Sequence, residues 1–271
     1  MYSLKGKVVV ITGGSSGIGK ALVIDALRRG GKVAACARNI EKLKDVFTDN
    51  DNLFLLNTDV SKEEDCKAFI DAVVAKWGGV DVLINNAGIS MRALFEEVDL
   101  RVLREMMDVN FWGAVYCTKY VMPTVMLRHG VIAAVSSIAG YRGLPGRTGY
   151  CASKFAMQGF FEALRTELLH TNVHVMWICP GFTASNIRNV ARNKAGAAQG
   201  ETPLDENKLM SAEECARLTL NAVEQRKRSL LITGQGKLTV LVNKIFPKLA
   251  DKLIYRHFLN ERDSLLRKYE S

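Results

Sequence analysis

The sequence predicts an α/β fold, a single doubly wound parallel β-sheet flanked by helices, with a short helical extension at the C-terminus. Three observations predict it. Short continuous apolar runs recur along the chain, as strands buried on both faces require. Stretches of helical apolar periodicity alternate with them, and repeated βα units build one parallel sheet. The first apolar run also passes through a glycine-rich loop straight into a helical pattern. The 271 residues, 48% apolar and 24% charged, suit one soluble domain with a large core. No repeat, low-complexity tract or linker divides residues 1–271. The core is expected at about 5–235, a substrate loop at about 184–210 and an amphipathic extension at about 236–271.

Lys7 to Thr12 (Lys-Val-Val-Val-Ile-Thr) is the first strand. Gly13, Gly14, Ser15, Ser16, Gly17, Ile18 and Gly19 follow, then a helix through Ala21, Leu22, Ile24, Ala26 and Leu27. Strand, glycine loop and helix aim backbone N–H groups and a helix N-terminus at a phosphate. Lys32 to Ala37 is the second strand, ending in Arg38-Asn39 with no acid. An acid there would accept from a ribose 2′-hydroxyl, whereas an arginine suits a 2′-phosphate. NADP(H) is therefore expected over NAD(H). Leu53 to Asn57 is the third strand, running into Asp59-Val60-Ser61, with Ser61 a candidate cap for a helix from about Glu63. Val80 to Ile84 is the fourth. Its end, Asn85-Asn86-Ala87-Gly88, fits a loop beneath a flat ligand and equally an ordinary turn.

Helical periodicity runs from Leu100 to about Leu127 and contains Asn110. Val131 to Val135 is the fifth strand, Asn172 to Ile178 the sixth and Ser229 to Thr233 the last. A further helix starts near Tyr150 and continues through Leu168. Residues 184–210 are polar and weakly periodic, a long loop of the kind that covers binding sites. Ser211-Ala-Glu-Glu214 reads as a capping box.

The chemistry concentrates between strand five and the next helix. Tyr150 and Lys154 are four residues apart and share one helix face. Ser137 lies at the end of the fifth strand, and a loop rich in glycine and proline separates it from Tyr150. A phenol is a poor acid or base near neutral pH, but an ammonium beside it lowers its pKa and lets it exchange a proton. A serine hydroxyl can hydrogen-bond the same substrate oxygen. The plain alternative is an ordinary surface pair on a helix.

These residues together resemble the short-chain dehydrogenase/reductase family over roughly residues 5–235. Thr12 to Gly19 is similar to its T-G-x-x-x-G-x-G motif and Asn85 to Gly88 to N-N-A-G. Asn110, Ser137, the Y-x-x-x-K of Tyr150 to Lys154 and the Pro180-Gly181 pair follow in family order. The resemblance implies a Rossmann-type fold and a catalytic set of Asn110, Ser137, Tyr150 and Lys154. Tyr150 would be the acid/base. Lys154 would lower its pKa and hold the nicotinamide ribose, Ser137 would position the carbonyl, and Asn110 would break its helix locally to hold a relay water. The cofactor set it implies is Gly13, Ser15, Ser16, Gly17, Ile18, Gly19, Arg38, Asn39, Asp59, Val60, Asn86, Ala87, Gly88, Tyr150, Lys154, Pro180, Gly181, Thr183 and Ser185. Ser16 stands where NADP-preferring members carry a basic residue, a departure that leaves NAD(H) open. The implied activity is interconversion of a ketone and a secondary alcohol, the substrate apolar or lipid-like. One alternative is a 3-ketodihydrosphingosine-type reductase. Another, from a different class, is a non-catalytic nucleotide-sensing protein on the same fold.

The six cysteines are dispersed, with no C-x-x-C pair, and read as reduced thiols rather than disulfides or a zinc site, which points to the cytoplasm. Cys151 beside Tyr150 reads as a packed residue because no base is placed to activate it. No apolar run is long enough to span a membrane, and the N-terminus goes straight into a strand without a signal-peptide core. The net charge of +9 suits an anionic partner, but the basic residues are scattered and form no nucleic-acid module. The tail is different. Lys244, Lys248, Lys252 and Arg256 recur every four residues, with Leu249, Leu253, Ile254 and Phe258 on the neighbouring arc. Such a helix either packs on the sheet domain or a second subunit, lies on an anionic membrane surface at the periphery, or walls an apolar pocket. Family members pair as homodimers or homotetramers through the two long helices, and both states stay open here.

Overall fold

The computed structural model describes residues 2–41, 50–183, 187–200, 209–261 and 263–270. Seven strands form one sheet: β1 (Val8–Thr12), β2 (Lys32–Ala37), β3 (Leu53–Asn57), β4 (Val82–Asn85), β5 (Val131–Val135), β6 (His174–Cys179) and β7 (Ser229–Leu231). Their order is β3-β2-β1-β4-β5-β6-β7, and every pairing is parallel. The order reverses at β1 and β4, which opens a crevice above their C-terminal ends, where ligands of such sheets bind. The expected strands are all present, with ends displaced by at most two residues.

Among the described residues the α-helices are α1 (Gly17–Arg28), α2 (Glu63–Trp77), α3 (Leu100–Met107), α4 (Gly113–Arg128), α5 (Thr148–Glu167), α6 (Ala212–Glu224), α7 (Gly234–Ile245) and α8 (Pro247–Leu259). Two apolar clusters sandwich the sheet. One joins it to α2–α5 through Phe69, Met106, Val121 and Phe161. The other joins it to α1 and α6 through Leu22, Ala26, Leu220 and Val223. Strand residues alternate between them: Val8 and Val10 face the first, Val9 and Ile11 the second.

Two local expectations are corrected. Ser61 does not cap α2; its backbone N–H and hydroxyl both donate to the Asp59 carboxylate, and Lys62 occupies the cap position without a side-chain bond. The capping box before α6 is half formed. The Ser211 hydroxyl accepts from Glu214 N at 3.1 Å, but the Glu214 carboxylate turns to Arg217 instead of returning to the cap.

The crevice is held by β1 clamping β4. Thr12 Oγ1 accepts both Asn86 N and Ala87 N at 3.0 Å, and Asn86 Nδ2 returns to Thr12 O at 2.9 Å. Thr12→Val keeps the shape but leaves two half-buried backbone donors without an acceptor. It should lower unfolding free energy by about 2–4 kcal/mol, read as a fall in the urea midpoint at unchanged slope.

Candidate active site

The glycine loop sits where β1 meets α1. Gly13 adopts φ +69°, a left-handed conformation, and a Cβ there would lie 2.7 Å from Ala87 Cα. A Cβ on Gly19 would strike the Gly13 carbonyl. The N-terminus of α1 carries no side-chain cap, and its first turn holds no acid. Its free N–H groups and positive dipole end suit a phosphate.

A cleft of about 450 Å³ runs from this loop to α5, within the size range of small-ligand sites. Its wall includes Gly13, Ser15, Ser16, Gly17, Ile18 and Gly19, then Arg38 and Asn39 at the end of β2. Asp59, Val60, Asn86, Ala87 and Gly88 continue it. Ser137, Tyr150, Lys154, Pro180, Gly181 and Thr183 complete it. Residues far apart in sequence thus meet in one crevice. Ser185 lies outside the described residues.

Asn110 is wholly buried beneath the cleft. The expected helix from Leu100 is interrupted there by a π turn over Asp108–Trp112, between α3 and α4. Its side chain is fully engaged. Oδ1 accepts Ile89 N at 2.8 Å, while Nδ2 donates to Ile89 O at 3.0 Å and to Ser153 Oγ at 2.9 Å. Ser153 passes the connection on, donating to Tyr150 O at 2.8 Å.

Lys154 is 3% exposed and donates from Nζ to Val135 O, at the end of β5, at 2.9 Å. Nζ lies 5.8 Å from the centre of the Tyr150 ring. Burial pushes the ammonium down to about 8, with Cys179 opposing. Burial holds the Tyr150 phenol above its ordinary value. Hydrogen bonding with Ser137 and, more weakly, the Arg147 charge pull it back. Ser137 Oγ also accepts Ala139 N at 3.1 Å, which starts a short helical turn over Ile138–Gly140.

Three residues absent from the sequence-based set belong to this arrangement. Ser153 links Asn110 to the Tyr150 backbone. Gln158 Nε2 donates to Ser136 Oγ at 2.9 Å and pins the end of β5. Its place four residues beyond Lys154 was the available signal; Ser153 left none. Arg147, at the N-terminus of α5, lines the same cleft. Cys151 Sγ accepts Leu144 N at 3.2 Å, and burial raises its thiol, consistent with a packed residue.

The C-terminal segment borders the site. Arg142 donates to Asn243 and Asp251 at 3.0 and 2.6 Å, and Asn243 donates back to Tyr141 O at 3.0 Å. Ile254 and Phe258 pack with Leu94, Leu144 and Leu266. A second cavity of about 500 Å³ lies between this loop and α8 and shares Leu144 with the main cleft. The outer arc splits away: Leu249 and Leu253 are each about half exposed. Among the described residues, no helix is long and apolar enough to cross a membrane.

Residues 7–196 match the family described as short chain dehydrogenase. A Dictyostelium discoideum protein, dehydrogenase/reductase SDR family protein 7-like, is 32% identical over 94% of this chain and 82% of its own length. The 11-beta-hydroxysteroid dehydrogenase 1A of Arabidopsis thaliana is 32% identical over 93% of this chain and 76% of its own. A Burkholderia phymatum short chain dehydrogenase/reductase solved with NAD has the same fold. Its TM-score is 0.81 at 24% identity, covering 92% of this chain and 96% of that one.

The Lys154 amine has a thermodynamic consequence. Its folded value lies below its unfolded one, so the unfolded chain binds more protons between about pH 8 and the ordinary lysine value. Stability rises with pH across that window, and the cost is complete below it. Lys154→Met should therefore flatten this rise; the relief of about 3 kcal/mol near neutral pH is offset by about 1–3 kcal/mol for the Val135 carbonyl left without its donor. Denaturant titrations at both ends of the window check it.

Proposed function

The chain belongs to the short-chain dehydrogenase family, and on that premise we propose that this oxidoreductase interconverts an apolar ketone and its secondary alcohol with NADP(H). The observation that carries the reading is the convergence of Ser137, Tyr150 and Lys154 on a cleft whose far end is an uncapped helix N-terminus.

The glycine loop and the start of α1 would hold the cofactor's pyrophosphate through backbone N–H groups. Asp59, Val60, Asn86 and Ala87 would flank its adenosine half. Lys154, Pro180, Gly181, Thr183 and Ser185 would flank the nicotinamide half. Arg38 is exposed in the cleft, and β2 ends without a carboxylate, which favours a 2′-phosphate. When bound, the nicotinamide supplies or accepts the hydride. Tyr150 gives the substrate oxygen its proton in reduction and removes it in oxidation. Ser137 hydrogen-bonds the same oxygen and stabilises its developing charge. Lys154 holds positive charge behind the phenol. The Asn110 π turn opens the backbone for a water that links Lys154 to solvent.

Apolar specificity is supported by Ile89, Val109, Leu144, Phe182, Ile187 and Val190 along the cleft. The Arabidopsis relative's hydroxysteroid name points the same way. Trp112, the last residue of the π turn before α4, and Phe155 on α5 are both more than 40% exposed, which supports pairing with a second copy through α4 and α5.

The outer face of the tail suits an anionic bilayer. Leu238, Leu241 and Ile245 form one exposed stripe on α7, and Phe246 between the helices and Leu249 and Leu253 on α8 are also exposed. Exposed Lys237, Lys244, Lys248, Lys252 and Arg256 border them. Apolar anchors among cations fit acidic headgroups; two such faces would repel each other.

Assays of steroid, medium-chain and sphingoid ketones should show NADPH consumption. Tyr150→Phe should lower turnover by at least about 100-fold while NADPH fluorescence titration still reports binding. Arg38→Ala should weaken NADPH relative to NADH by about 10- to 100-fold. Turnover near the parent rate in Tyr150→Phe would sink the mechanism.

Flotation should recover the protein with phosphatidylserine-containing vesicles. It should fail with pure phosphatidylcholine, at high salt, and for Leu241→Asp combined with Leu249→Asp. Equal recovery under all four conditions, or vesicle-free self-association lost in that variant, would refute the bilayer assignment.

A further inference from the structure

Arg147 breaks three local rules at once. It holds the N-terminal cap position of α5, where Ser, Thr, Asp or Asn would accept a free N–H, and it makes no side-chain cap. Its positive charge sits at the positive end of a 20-residue helix whose first turn contains no acid. Among the described residues its guanidinium forms no ion pair. Glu261, the acid that influences it, is paired with Arg92 at 3.5 Å, both side chains 10% exposed. Burial already works against its charge. A placement so unfavourable for the helix and the cation calls for a compensating role.

The surroundings indicate one. Arg147 and Tyr150 line the same cleft, three residues apart at the start of one helix. The guanidinium carbon lies 5.3 Å from the centre of the Phe258 ring, which is itself buried in the cluster formed by the tail. Stacking on an aromatic face fixes a planar cation without neutralising it, as a carboxylate would.

We propose that Arg147 is a second fixed cation of the site, a positioning residue that the Phe258 ring of the C-terminal extension holds so that its field favours negative charge on the Tyr150 oxygen. The inference rests on Tyr150 being the proton-exchanging group. It assigns the extension a share in the proton transfer. Lys154 is the first such cation, its buried amine held by Val135 O and 5.8 Å from the centre of the Tyr150 ring. The other groups facing Tyr150 are the Ser137 hydroxyl and the Cys151 and Cys179 thiols. Those facing Arg147 are Glu261, Arg92 and Cys151. Burial keeps both thiols neutral, Ser137 assists phenolate, and the Arg147 charge acts in the same direction.

The test is an ultraviolet phenolate titration on the full chain. Each protein is referenced to its own Tyr150→Phe version, so that only Tyr150 is read, with and without NADP+. Arg147→Met should raise the Tyr150 midpoint by about one pH unit or more. Arg147→Lys should recover at least half of that shift, and Phe258→Leu should move the midpoint the same way by less. An unchanged midpoint in Arg147→Met would overturn the proposal, as would Lys and Met variants shifted equally. The titration needs no turnover: if no ketone is reduced but the midpoint moves, the assigned reaction fails and the role of Arg147 stands.

Discussion

A lysine amine buried against the end of a parallel strand is the constraint on which the site depends. Among the described residues Lys154 Nζ has one acceptor, Val135 O, in a place with almost no solvent. The sheet end, α5 and the loop carrying Ser137 must therefore stay in register. Gln158 fastens the same strand end one turn further along, through Ser136. From the other side Asn110 holds Ile89 and Ser153, and Ser153 holds the Tyr150 carbonyl. The π turn that admits Asn110 is a local departure from helix geometry, tolerated because every polar atom of that side chain is satisfied.

The cofactor end is built by a different principle. There the side chains are small and the backbone comes close: Gly13 packs on Ala87, and Thr12 ties the ends of β1 and β4 together. An uncapped helix N-terminus is left pointing into the space between them. One end of the cleft thus offers backbone donors to an anion, and the other offers titratable side chains in a drier setting. In the proposed reading a nicotinamide dinucleotide would use both ends.

The C-terminal extension faces two ways. Its inner side, Ile254 and Phe258, packs beneath the loop that leads to Tyr150, and Arg142 and Asn243 lock the two together. Its outer side keeps large apolar residues in solvent beside a row of cations. In the proposed reading a surface that seeks an acidic bilayer therefore adjoins the wall of the cleft, a short path for an apolar substrate. Leu144, which lines both the main cleft and the cavity under α8, is where the two regions meet.

Periodicity and glycine placement were enough to determine the seven strands, their alternation with helices and the loop after β1, because each is set by residues adjacent in the chain. Motif order also marked Ser137, Tyr150 and Lys154, whose spacing on one helix and one strand end is short-range information. Ser153 and Arg147 were not legible, because each depends on what another segment brings to it: Asn110 from the interrupted helix and Phe258 from the tail; the partner of Ser61 is local, and there two short-range bonds, to the Asp59 carboxylate or to the helix start, competed. The tail's apolar arc could be read as a stripe, but its division into a packed inner edge and an exposed outer one could not. Tertiary contact decided that division, since burial depends on which surface stands opposite and a helix carries no record of its neighbours.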